Sequence, residues 1–219
     1  MKRLIIAIDG PSGAGKGTVS RAVARALGYR HIDTGAMYRA VGWKAHRDGI
    51  ALTDETAVAE LARIADLTVE GGSVAIDGYD VTREIRTPEV DKLASTVARL
   101  PRVREALVSR QRALGERGGV VMEGRDIGSV VFPDADVKIY LDASAEERAR
   151  RRAHDASHAG SQDGEAAVAE AIQARDLSDK TRAASPLSLA PGAIHIDTTD
   201  MPIESVVDRV MALVRKGLT

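Results

Sequence analysis

The sequence predicts an α/β fold in which a five-stranded parallel sheet is flanked by helices. Five short apolar, partly β-branched runs are bounded by Gly, Asp or Thr, a pattern typical of buried strands. Helical patterns lie between these runs, and such alternation indicates a parallel sheet covered on both faces. A glycine-rich turn joins the first strand to the first helix. With 219 residues, the chain is long enough to bury a substantial core, and we expect a single domain.

The predicted strands follow one another at residues 4–8, 31–32, 120–122, 137–141 and 194–196, and the second is the weakest of them. The predicted helices lie near residues 16–27, 36–47, 101–117, 145–156, 165–182 and 203–215. Because the strands are joined through helices, the handedness rule for crossovers leaves few topologies.

Two segments interrupt this alternation. Residues 67–86 alternate apolar and polar positions around the turn signals Gly71-Gly72 and Asp77-Gly78, so we expect small antiparallel strands inserted between helices. Residues 154–165 are polar and turn-rich between two helices that carry arginines, and we expect them to form a mobile lid tip.

Composition excludes several classes of protein. The formal net charge is −1, so there is no global basic field for binding nucleic acid, and no basic stripe interleaves with aromatic residues. No apolar run approaches the roughly 20 residues needed to span a bilayer, so we expect no membrane insertion. The chain has no cysteine and nothing that looks like a signal peptide, which favours a cytoplasmic enzyme.

The stretch GPSGAGKGT at residues 10–18 predicts a phosphate-binding loop. Its glycines allow the backbone to curl so that successive N–H groups point at an anion, and the helix that follows adds its positive dipole end. Lys16 supplies a positive charge to the β- and γ-phosphates of a nucleoside triphosphate. A common form of this loop has Ser or Thr directly after the lysine, where the hydroxyl binds Mg²⁺, but this chain has Gly17.

The missing hydroxyl implies that Mg²⁺ depends more on phosphate oxygens, water and a carboxylate. Asp9 and Glu123 each end a predicted strand beside the loop and are the candidate outer-shell partners, with no direct protein ligand expected. The Lys-Gly-Thr ending, with Thr18 touching a phosphate, is similar to that of nucleoside monophosphate kinases. A GTPase is disfavoured because no Asn-Lys-x-Asp signature is present.

Two further motifs follow strand ends, where parallel sheets bind their ligands. In HIDTGAMYR, residues 31–39, Asp33 and Thr34 begin a helix and Arg39 can reach back toward a phosphate near its N-terminus. In EGRDIGSVVFP, residues 123–133, Arg125 can hold a phosphate while Asp126 accepts a hydrogen bond from an exocyclic amine. The alternatives are an ordinary capped helix and a surface ion pair.

A third motif, RDLSDKTRAASPL at residues 175–187, places Arg175, Asp179 and Arg182 on one helix face. Charged pairs at this spacing are also common on solvated helices. Together with the other motifs, however, the arginines favour a site that grips phosphate groups, since guanidinium binds phosphate bidentately.

The sequence closely resembles the bacterial cytidylate kinase family in the stretches GPSGAGKGT, DTGAMYR, LPRVREALVSRQR, EGRDIGSVVFPDADVKIYLDAS, EERARRR and RDLSDKTRAASPL. The resemblance implies a P-loop nucleoside monophosphate kinase fold and ATP-dependent phosphorylation of CMP and dCMP with Mg²⁺. It also implies one kinase domain over residues 1–219. In that domain, the core spans about 1–35, 118–147 and 183–219, the monophosphate-binding insert about 36–117, and a short lid about 148–182.

The resemblance also carries functional roles onto matching residues. The ATP-binding set is Gly10, Ser12, Gly13, Ala14, Gly15, Lys16, Gly17, Thr18 and Arg151. The CMP-binding set is Thr34, Tyr38, Arg39, Ser95, Arg104, Arg125, Asp126, Arg175 and Asp179. Ser95, Arg104 and Asp126 match positions that read the cytosine edge, and Arg39 and Arg125 match those that hold the acceptor phosphate. The catalytic set is Lys16, Arg125, Arg175 and Arg182, of which Arg182 matches an arginine that approaches the transferring phosphoryl group.

Other functions remain as alternatives. Another kinase of the same fold, acting on AMP, UMP or shikimate, would share the loop and differ in acceptor. A nucleotide-dependent switch would bind ATP or GTP without phosphorylating an acceptor, but it leaves the arginine and aspartate motifs without a task. His154 and His158 have metal-ligand spacing, although exposed lid side chains are the simpler reading. We expect a monomer with no protein partner.

Overall fold

The computed structural model describes residues 3–154 and 165–217, which form two sheets and a set of surrounding helices. In chain order the elements are β1 (Ile5–Asp9), α1 (Lys16–Leu27), β2 (Arg30–Asp33), α2 (Thr34–Arg47), α3 (Glu55–Ile64), β3 (Leu67–Glu70), β4 (Ser73–Ile76), β5 (Tyr79–Asp80), α4 (Pro88–Val97), α5 (Pro101–Gly115), β6 (Val120–Gly124), β7 (Val137–Asp142), α6 (Ala145–Ala153), α7 (Glu165–Thr181), β8 (Ile194–Asp197) and α8 (Ile203–Gly217).

The main sheet confirms the predicted five-stranded parallel architecture. Its strand order is β2-β6-β1-β7-β8, and every neighbouring pair is parallel. The carboxyl ends of β2, β6 and β1 lie side by side, with Asp9 opposite Gly124 and Asp33 opposite Glu123. Because all strands point the same way, the polar residues that follow them gather at one edge of the sheet.

Both faces of the main sheet are covered, as its apolar strands require. On one face, Ile6 and Ile8 of β1 pack with apolar residues of α1 and α8. On the other face, Ala7 packs with Ile32 and Met122 of the neighbouring strands. Since alternate residues of β1 are buried on opposite sides, this strand is rigid where it feeds the phosphate loop.

The segment between β2 and β6 has its own apolar cluster, formed by residues of α2, α3, α4, α5 and the antiparallel sheet β3-β4-β5. The predicted turns at Gly71-Gly72 and Asp77-Gly78 are present, with positive φ at all four residues. The predicted strand segment, residues 67–86, is too long: β5 ends at Asp80, and a 3₁₀ turn occupies Glu84–Arg86.

Helices α3 and α4 were not predicted from the sequence, although each carries a clear start signal. Asp54 caps α3 by accepting a hydrogen bond from the Ala57 amide, and Thr87 caps α4, which begins with Pro88. Helix α4 packs closely on α2. Its residues Ala94 and Ser95 lie near Gly124, at the carboxyl end of β6.

Helices α6 and α7 pack against each other beyond β7. Residues 155–164, which make up most of the predicted lid tip, lie outside the described residues. No helix within residues 3–154 and 165–217 is both long and apolar enough to cross a bilayer.

Candidate active site

The loop between β1 and α1 curls as the glycine pattern predicts. Gly10, Gly13 and Gly15 have φ values of 145°, 79° and 85°, which side chains other than glycine rarely adopt. A Cβ on Gly13 would lie 2.7 Å from the Arg148 carbonyl oxygen, so α6 rests directly on the loop backbone. A loop with these φ values that leads into a helix start can turn its backbone N–H groups toward one bound phosphate.

Lys16 begins α1 and is almost fully buried beneath the loop, where its Nζ donates a hydrogen bond to the Pro11 carbonyl oxygen at 2.6 Å. Burial lowers the pKa of Lys16 well below its usual value, and nearby Arg125 lowers it further. A phosphate bound in the loop would counter both effects, because an adjacent anion favours the ammonium form.

Gly17 occupies the position where a common phosphate loop has Ser or Thr, and its small size has a structural reason. A Cβ at this position would lie 3.3 Å from Oε1 of Glu123, so glycine leaves room for that carboxylate at the end of β6. Glu123 is buried, and the same oxygen lies 2.8 Å from Nε2 of His31. Within the described part of the chain, His, Asp and Glu side chains form no group of three or more that could hold a metal ion.

Asp9, the other candidate outer-shell partner of Mg²⁺, also has a structural task. Its two carboxylate oxygens accept hydrogen bonds from the backbone amides of Ile127, at 2.8 Å, and Gly128, at 2.7 Å. These residues belong to a π-helical turn, Ile127–Val131, that follows β6. Burial raises the pKa of Asp9 to about 6, and the two amides partly oppose this rise. Asp9 therefore holds the turn that presents Asp126, and its carboxylate also acts on Lys16 of the loop. An outer-shell role toward Mg²⁺ stays a prediction for both Asp9 and Glu123.

The phosphate loop opens onto a cleft of about 560 Å³ whose lining is rich in arginine. Arg39 of α2, Arg125 after β6 and Arg175 of α7 line this cleft, and Arg86, Arg150, Arg151 and Arg152 line it as well. Burial lowers the pKa of Arg175 to about 10, with Arg39 as a second cause, but it remains charged near neutral pH. The cleft thus places several positive charges near the loop and suits a polyanion.

The start of α2 is fixed to the sheet by its polar residues. Asp33 caps the helix by accepting from the Ala36 amide at 3.1 Å, and Thr34 Oγ1 donates to the Glu123 carbonyl oxygen at 2.7 Å. The Thr34 hydroxyl is therefore engaged by the protein. Arg39 extends along α2 toward the cleft, as its spacing from the helix start predicts.

Asp91 of α4 is a residue of the site that sequence reasoning missed. Its Oδ1 accepts from Nε of Arg39 at 2.8 Å and from Nη1 of Arg175 at 3.3 Å, and its Oδ2 pairs with Arg152. Burial alone would raise the pKa of Asp91, but the three arginines outweigh it and hold that pKa well below the usual range. No motif pointed to Asp91, since its partners lie on three other helices.

A second, smaller pocket lies beside the cleft, between α2, α4 and the end of β6. Its volume of about 40 Å³ holds only a few water molecules. Eight of the predicted acceptor-site residues and the catalytic candidate Arg182 line it: Thr34, Tyr38, Ser95, Arg104, Arg125, Asp126, Arg175, Asp179 and Arg182. The Thr34 hydroxyl is engaged elsewhere, by the Glu123 carbonyl oxygen. Arg125 and Arg175 line both the pocket and the cleft, and so connect them.

The charges in the small pocket are paired. Arg104 forms a buried ion pair with Asp126, and its guanidinium lies 5.4 Å from the centre of the Tyr38 ring. Arg125 donates from Nε to Oδ2 of Asp179 at 2.8 Å. These pairs fix the positions of the side chains that the sequence assigns to base and phosphate.

Several buried hydrogen-bond donors around this pocket have no partner within the described residues. Three of them line it: the Tyr38 hydroxyl, Nε of Arg104 and Nη2 of Arg182. Burial raises the pKa of Tyr38 to about 12, so the phenol keeps its proton. Because an unsatisfied buried donor costs roughly 1–3 kcal/mol, such a set favours a ligand that offers acceptor atoms.

Arg182 lies with the small pocket and not with the phosphate loop. Its Nη2 is 3.7 Å from Oδ1 of Asp126, its Nη1 is 3.6 Å from Oδ1 of Asp179, and its Nε donates to the Ser185 carbonyl oxygen. It does not line the large cleft. Its expected approach to the transferring phosphoryl group stays a prediction.

Helix α6 contributes two arginines with different tasks. Arg151, predicted to contact ATP, lines the cleft and donates to Oε1 of Glu147 at 2.7 Å and to Thr198 at 2.6–2.8 Å. Arg148, which sequence reasoning missed, is buried and donates to the Ser12 carbonyl oxygen at 3.1 Å and to Oδ2 of Asp176 at 2.5 Å. The arginine run EERARRR gave no means of telling these two apart.

A parallel sheet with a curled Gly-rich loop, a buried lysine and an arginine-lined cleft defines a P-loop kinase, a class of phosphoryl-transfer enzymes. A gluconokinase from Sinorhizobium meliloti 1021 shares the fold, with a TM-score of 0.52 over 99% of this chain and 94% of that chain at 17% identity. That degree of identity is informative about the fold and not about the acceptor.

The acceptor class follows from closer relatives. The family model for cytidylate kinase matches residues 6–216. The chain is 52% identical to a cytidylate kinase of Desulfitobacterium hafniense, over 97% of this chain and 93% of the relative. It is 50% identical to a cytidylate kinase of Caldanaerobacter subterraneus subsp. tengcongensis, over 97% and 95% of the two chains. This chain belongs to the cytidylate kinase family.

Proposed function

We propose that this enzyme transfers the γ-phosphoryl group of ATP to CMP or dCMP, with ATP in the large cleft and the acceptor's base in the small pocket. The observation that carries the proposal is the small pocket itself, where Arg104 and Arg182 pair with the Asp126 carboxylate and still have buried donor atoms that make no hydrogen bond within the described residues. Shikimate and gluconate carry no base to match this arrangement, which disfavours a kinase for such acceptors.

The donor side uses the curled loop and Lys16. Backbone N–H groups of the loop and of the first turn of α1 would hold the β-phosphate, and the ammonium would neutralise the β- and γ-oxygens. Thr18 is in the first turn of α1 and lines the cleft, so its amide or hydroxyl is available to a phosphate. Arg151 lies beside Gly15, 3.7 Å from a Cβ built there, and is the lid arginine nearest the loop.

Magnesium is the expected partner of ATP in this reaction. The donor set fits that role through one carboxylate, because Glu123 lies beside Gly17 and could accept hydrogen bonds from water on the ion. When bound, the ion would reduce the negative charge on the phosphates. Phosphate oxygens and water would supply the remaining ligands.

The acceptor phosphate would lie between Arg39, Arg125 and Arg175, because these side chains line the cleft and their charges act on one another. A phosphate monoester is largely dianionic near neutral pH, so no general base is needed to make its oxygen nucleophilic. What the protein must supply is in-line positioning and cancellation of charge between two polyanions. The lysine and arginines supply both.

The cytosine edge has one amine donor and two acceptors, and the small pocket is complementary to it. Asp126 can accept from the amine, while Arg104 and Arg182 can donate to the ring nitrogen and the carbonyl oxygen. Ser95 of α4 supplies a hydroxyl at the rim. Arg182 would therefore also serve base recognition.

The small pocket is too narrow for a pyrimidine, so the acceptor requires α4 and α7 to move apart. Residues 36–117, which contain α4, would act as the monophosphate-binding insert, and residues 148–182 as the lid, around a core formed by the rest of the chain. Closing both over the substrates would shield the γ-phosphoryl group from water and limit wasteful hydrolysis.

We also propose that the enzyme is a monomer and acts in the cytoplasm, where ATP and CMP occur. Light scattering of the purified protein would test the first point, and cell fractionation the second.

A panel of acceptors tests the proposed function. With Mg-ATP, ADP formation should be fastest with CMP and dCMP, slower with UMP, and negligible with AMP or shikimate. Asp126→Asn should lower the CMP-to-UMP ratio of kcat/KM by about 10- to 100-fold, since an amide no longer favours the cytosine amine. Asp134→Asn, an exposed change after the same π-helical turn, is the control. Turnover of AMP above CMP, or an unchanged ratio in Asp126→Asn, would contradict the assignment.

A further inference from the structure

Asp91 lies at the point where three helices present arginines to one carboxylate. Arg39 comes from α2, Arg152 from α6 and Arg175 from α7, and each pairs with Asp91 of α4. Their side chains are between 8% and 18% exposed and that of Asp91 is 19% exposed, so solvent screens these pairs only partly. The insert and the lid helices therefore share a single anion.

The three arginines line the large cleft, but Asp91 does not. The carboxylate approaches the guanidiniums from the side of α4, while the cleft and the phosphate loop lie on the other side. The cleft is also lined by three carboxylates, but eight arginines and Lys16 outnumber them, so the cleft carries an excess of positive charge. An acceptor phosphate bound there would compete with Asp91 for some of the same N–H donors.

We propose that Asp91 is a specificity-determining residue that keeps free small oxyanions, such as orthophosphate and sulfate, out of the acceptor-phosphate site. The inference rests on the proposed function, because it takes these arginines as the acceptor-phosphate site. Clustered guanidiniums bind any compact oxyanion. Asp91 is tethered beside them at high effective concentration, so a free anion must displace a carboxylate that never diffuses away.

The nucleotide overcomes this competition because its phosphate is also tethered. Once the base is held by Asp126 and Arg104, the attached phosphate meets the arginines at high effective concentration, an advantage that orthophosphate lacks. Asp91 thus raises the binding free energy that an anion needs to occupy the site. The phosphate of a base-bound nucleotide has enough, whereas a free phosphate does not.

A purely structural role makes a different prediction. If Asp91 served only to relieve repulsion among the three arginines, replacing it would lower the stability of the fold. It would not raise the affinity for orthophosphate and sulfate over that for chloride. Binding of orthophosphate and sulfate, compared with chloride at equal ionic strength, distinguishes the two roles.

The test compares wild type, Asp91→Asn and Asp91→Glu, with Asp48→Asn as the matched control. Asp48 pairs with Lys44 at the exposed end of α2, away from the cleft. Inhibition by orthophosphate and by sulfate is measured against CMP, with ionic strength held constant by chloride. We expect the inhibition constant of orthophosphate to fall at least tenfold in Asp91→Asn and to stay near the wild-type value in Asp91→Glu and Asp48→Asn. A change of less than twofold in Asp91→Asn would overturn the proposal.

A binding measurement covers a variant that is too unstable or too slow to assay. Millimolar orthophosphate should raise the Tm of Asp91→Asn by several degrees more than it raises that of wild type, while chloride should not. Equal shifts in the two proteins would also overturn the proposal. Neither outcome depends on CMP, so failure here is distinct from failure of the wild-type enzyme to phosphorylate CMP.

Discussion

Lys16 shows at the scale of one residue how the site is prepared for a polyanion. Its ammonium group is buried and donates to the Pro11 carbonyl oxygen, and both burial and nearby arginines lower its pKa. A buried cation among other cations is costly for the protein alone. A bound phosphate would offset that cost. We therefore expect substrate binding to stabilise the folded protein in part through Lys16.

Replacing Lys16 by Met should remove turnover while leaving the fold intact. We expect kcat to fall by at least about 10³-fold, because the lost charge stabilises the transferring phosphoryl group. Lys138→Met is the matched control, since Lys138 also donates to a proline carbonyl, that of Pro133 at 2.8 Å, but does not line the cleft. A coupled assay of ADP formation and a thermal melt of both variants check this, and a Lys16→Met enzyme of near-normal rate would rule out the phosphate-loop assignment.

Asp9 supplies a prediction about pH. Because burial raises its pKa to about 6, the folded protein binds this proton more tightly than the unfolded chain does. The stabilising contribution of protonated Asp9 is complete below about pH 4 and is lost as the pH rises through 6, a change on the order of 3 kcal/mol.

Comparison with Asp9→Asn isolates this effect from other titrating groups. The free energy of unfolding of wild type minus that of the variant should shrink by about 2–3 kcal/mol between pH 4 and pH 7, as measured by urea denaturation. A difference that stays constant or grows over this range would show that the two backbone amides outweigh burial at Asp9.

Much of the site at this scale could be predicted from local motifs, because Lys16, Arg39, Arg125 and Asp126 each follow a strand end closely in sequence. Asp91 and Arg148 could not be predicted. Their tasks depend on partners 28 to 136 residues away, and neither the Pro-Glu-Val-Asp stretch nor the arginine run distinguishes them from solvated charges.

At the scale of elements, the phosphate loop depends on how closely β1 and β7 approach each other. Gly10 has a φ of 145°, and a Cβ there would lie 1.9 Å from the Leu141 carbonyl oxygen in β7. No side chain can move to relieve this contact, since it is with backbone. The glycine therefore sets both the direction of the loop and the spacing of two central strands.

Gly10→Ala should accordingly destabilise the protein by more than about 3 kcal/mol, because it strains the backbone and forces two paired strands apart. Gly28→Ala provides the control. Gly28 also has a positive φ, 64°, but nothing lies within 4 Å of a Cβ there, so its cost should be about 1 kcal/mol. Equal losses in denaturant unfolding would contradict the close approach at Gly10.

The elements themselves were predictable where a helical pattern continued over many residues or where an apolar strand was buried on both faces. All five strands of the main sheet were located within one or two residues. Helices α3 and α4 were missed because they are short and flank the alternating segment that drew attention to strands. Their caps, Asp54 and Thr87, were the available signals.

At the scale of the whole molecule, ion pairs and hydrogen bonds connect parts of the chain that are far apart in sequence. Arg148 joins the lid helices α6 and α7 to the loop through Ser12 and Asp176, and Asp91 joins the insert to the same helices. Movement of the insert or lid therefore changes the loop and the acceptor-phosphate site at the same time. Long-range coupling of this kind has no signature in sequence spacing.

In the proposed function, one site holds two nucleotides end to end, with the phosphate loop at one end and the Asp126 pocket at the other. A ligand in which adenosine and cytidine are joined through five phosphates would span both ends. Calorimetric titration should show one molecule bound per chain, at least about 100-fold more tightly than CMP alone, because the second contact becomes intramolecular. The gain should be lost in Asp126→Asn and in Lys16→Met. Binding no tighter than that of ATP, and unchanged by Asp126→Asn, would contradict the claim.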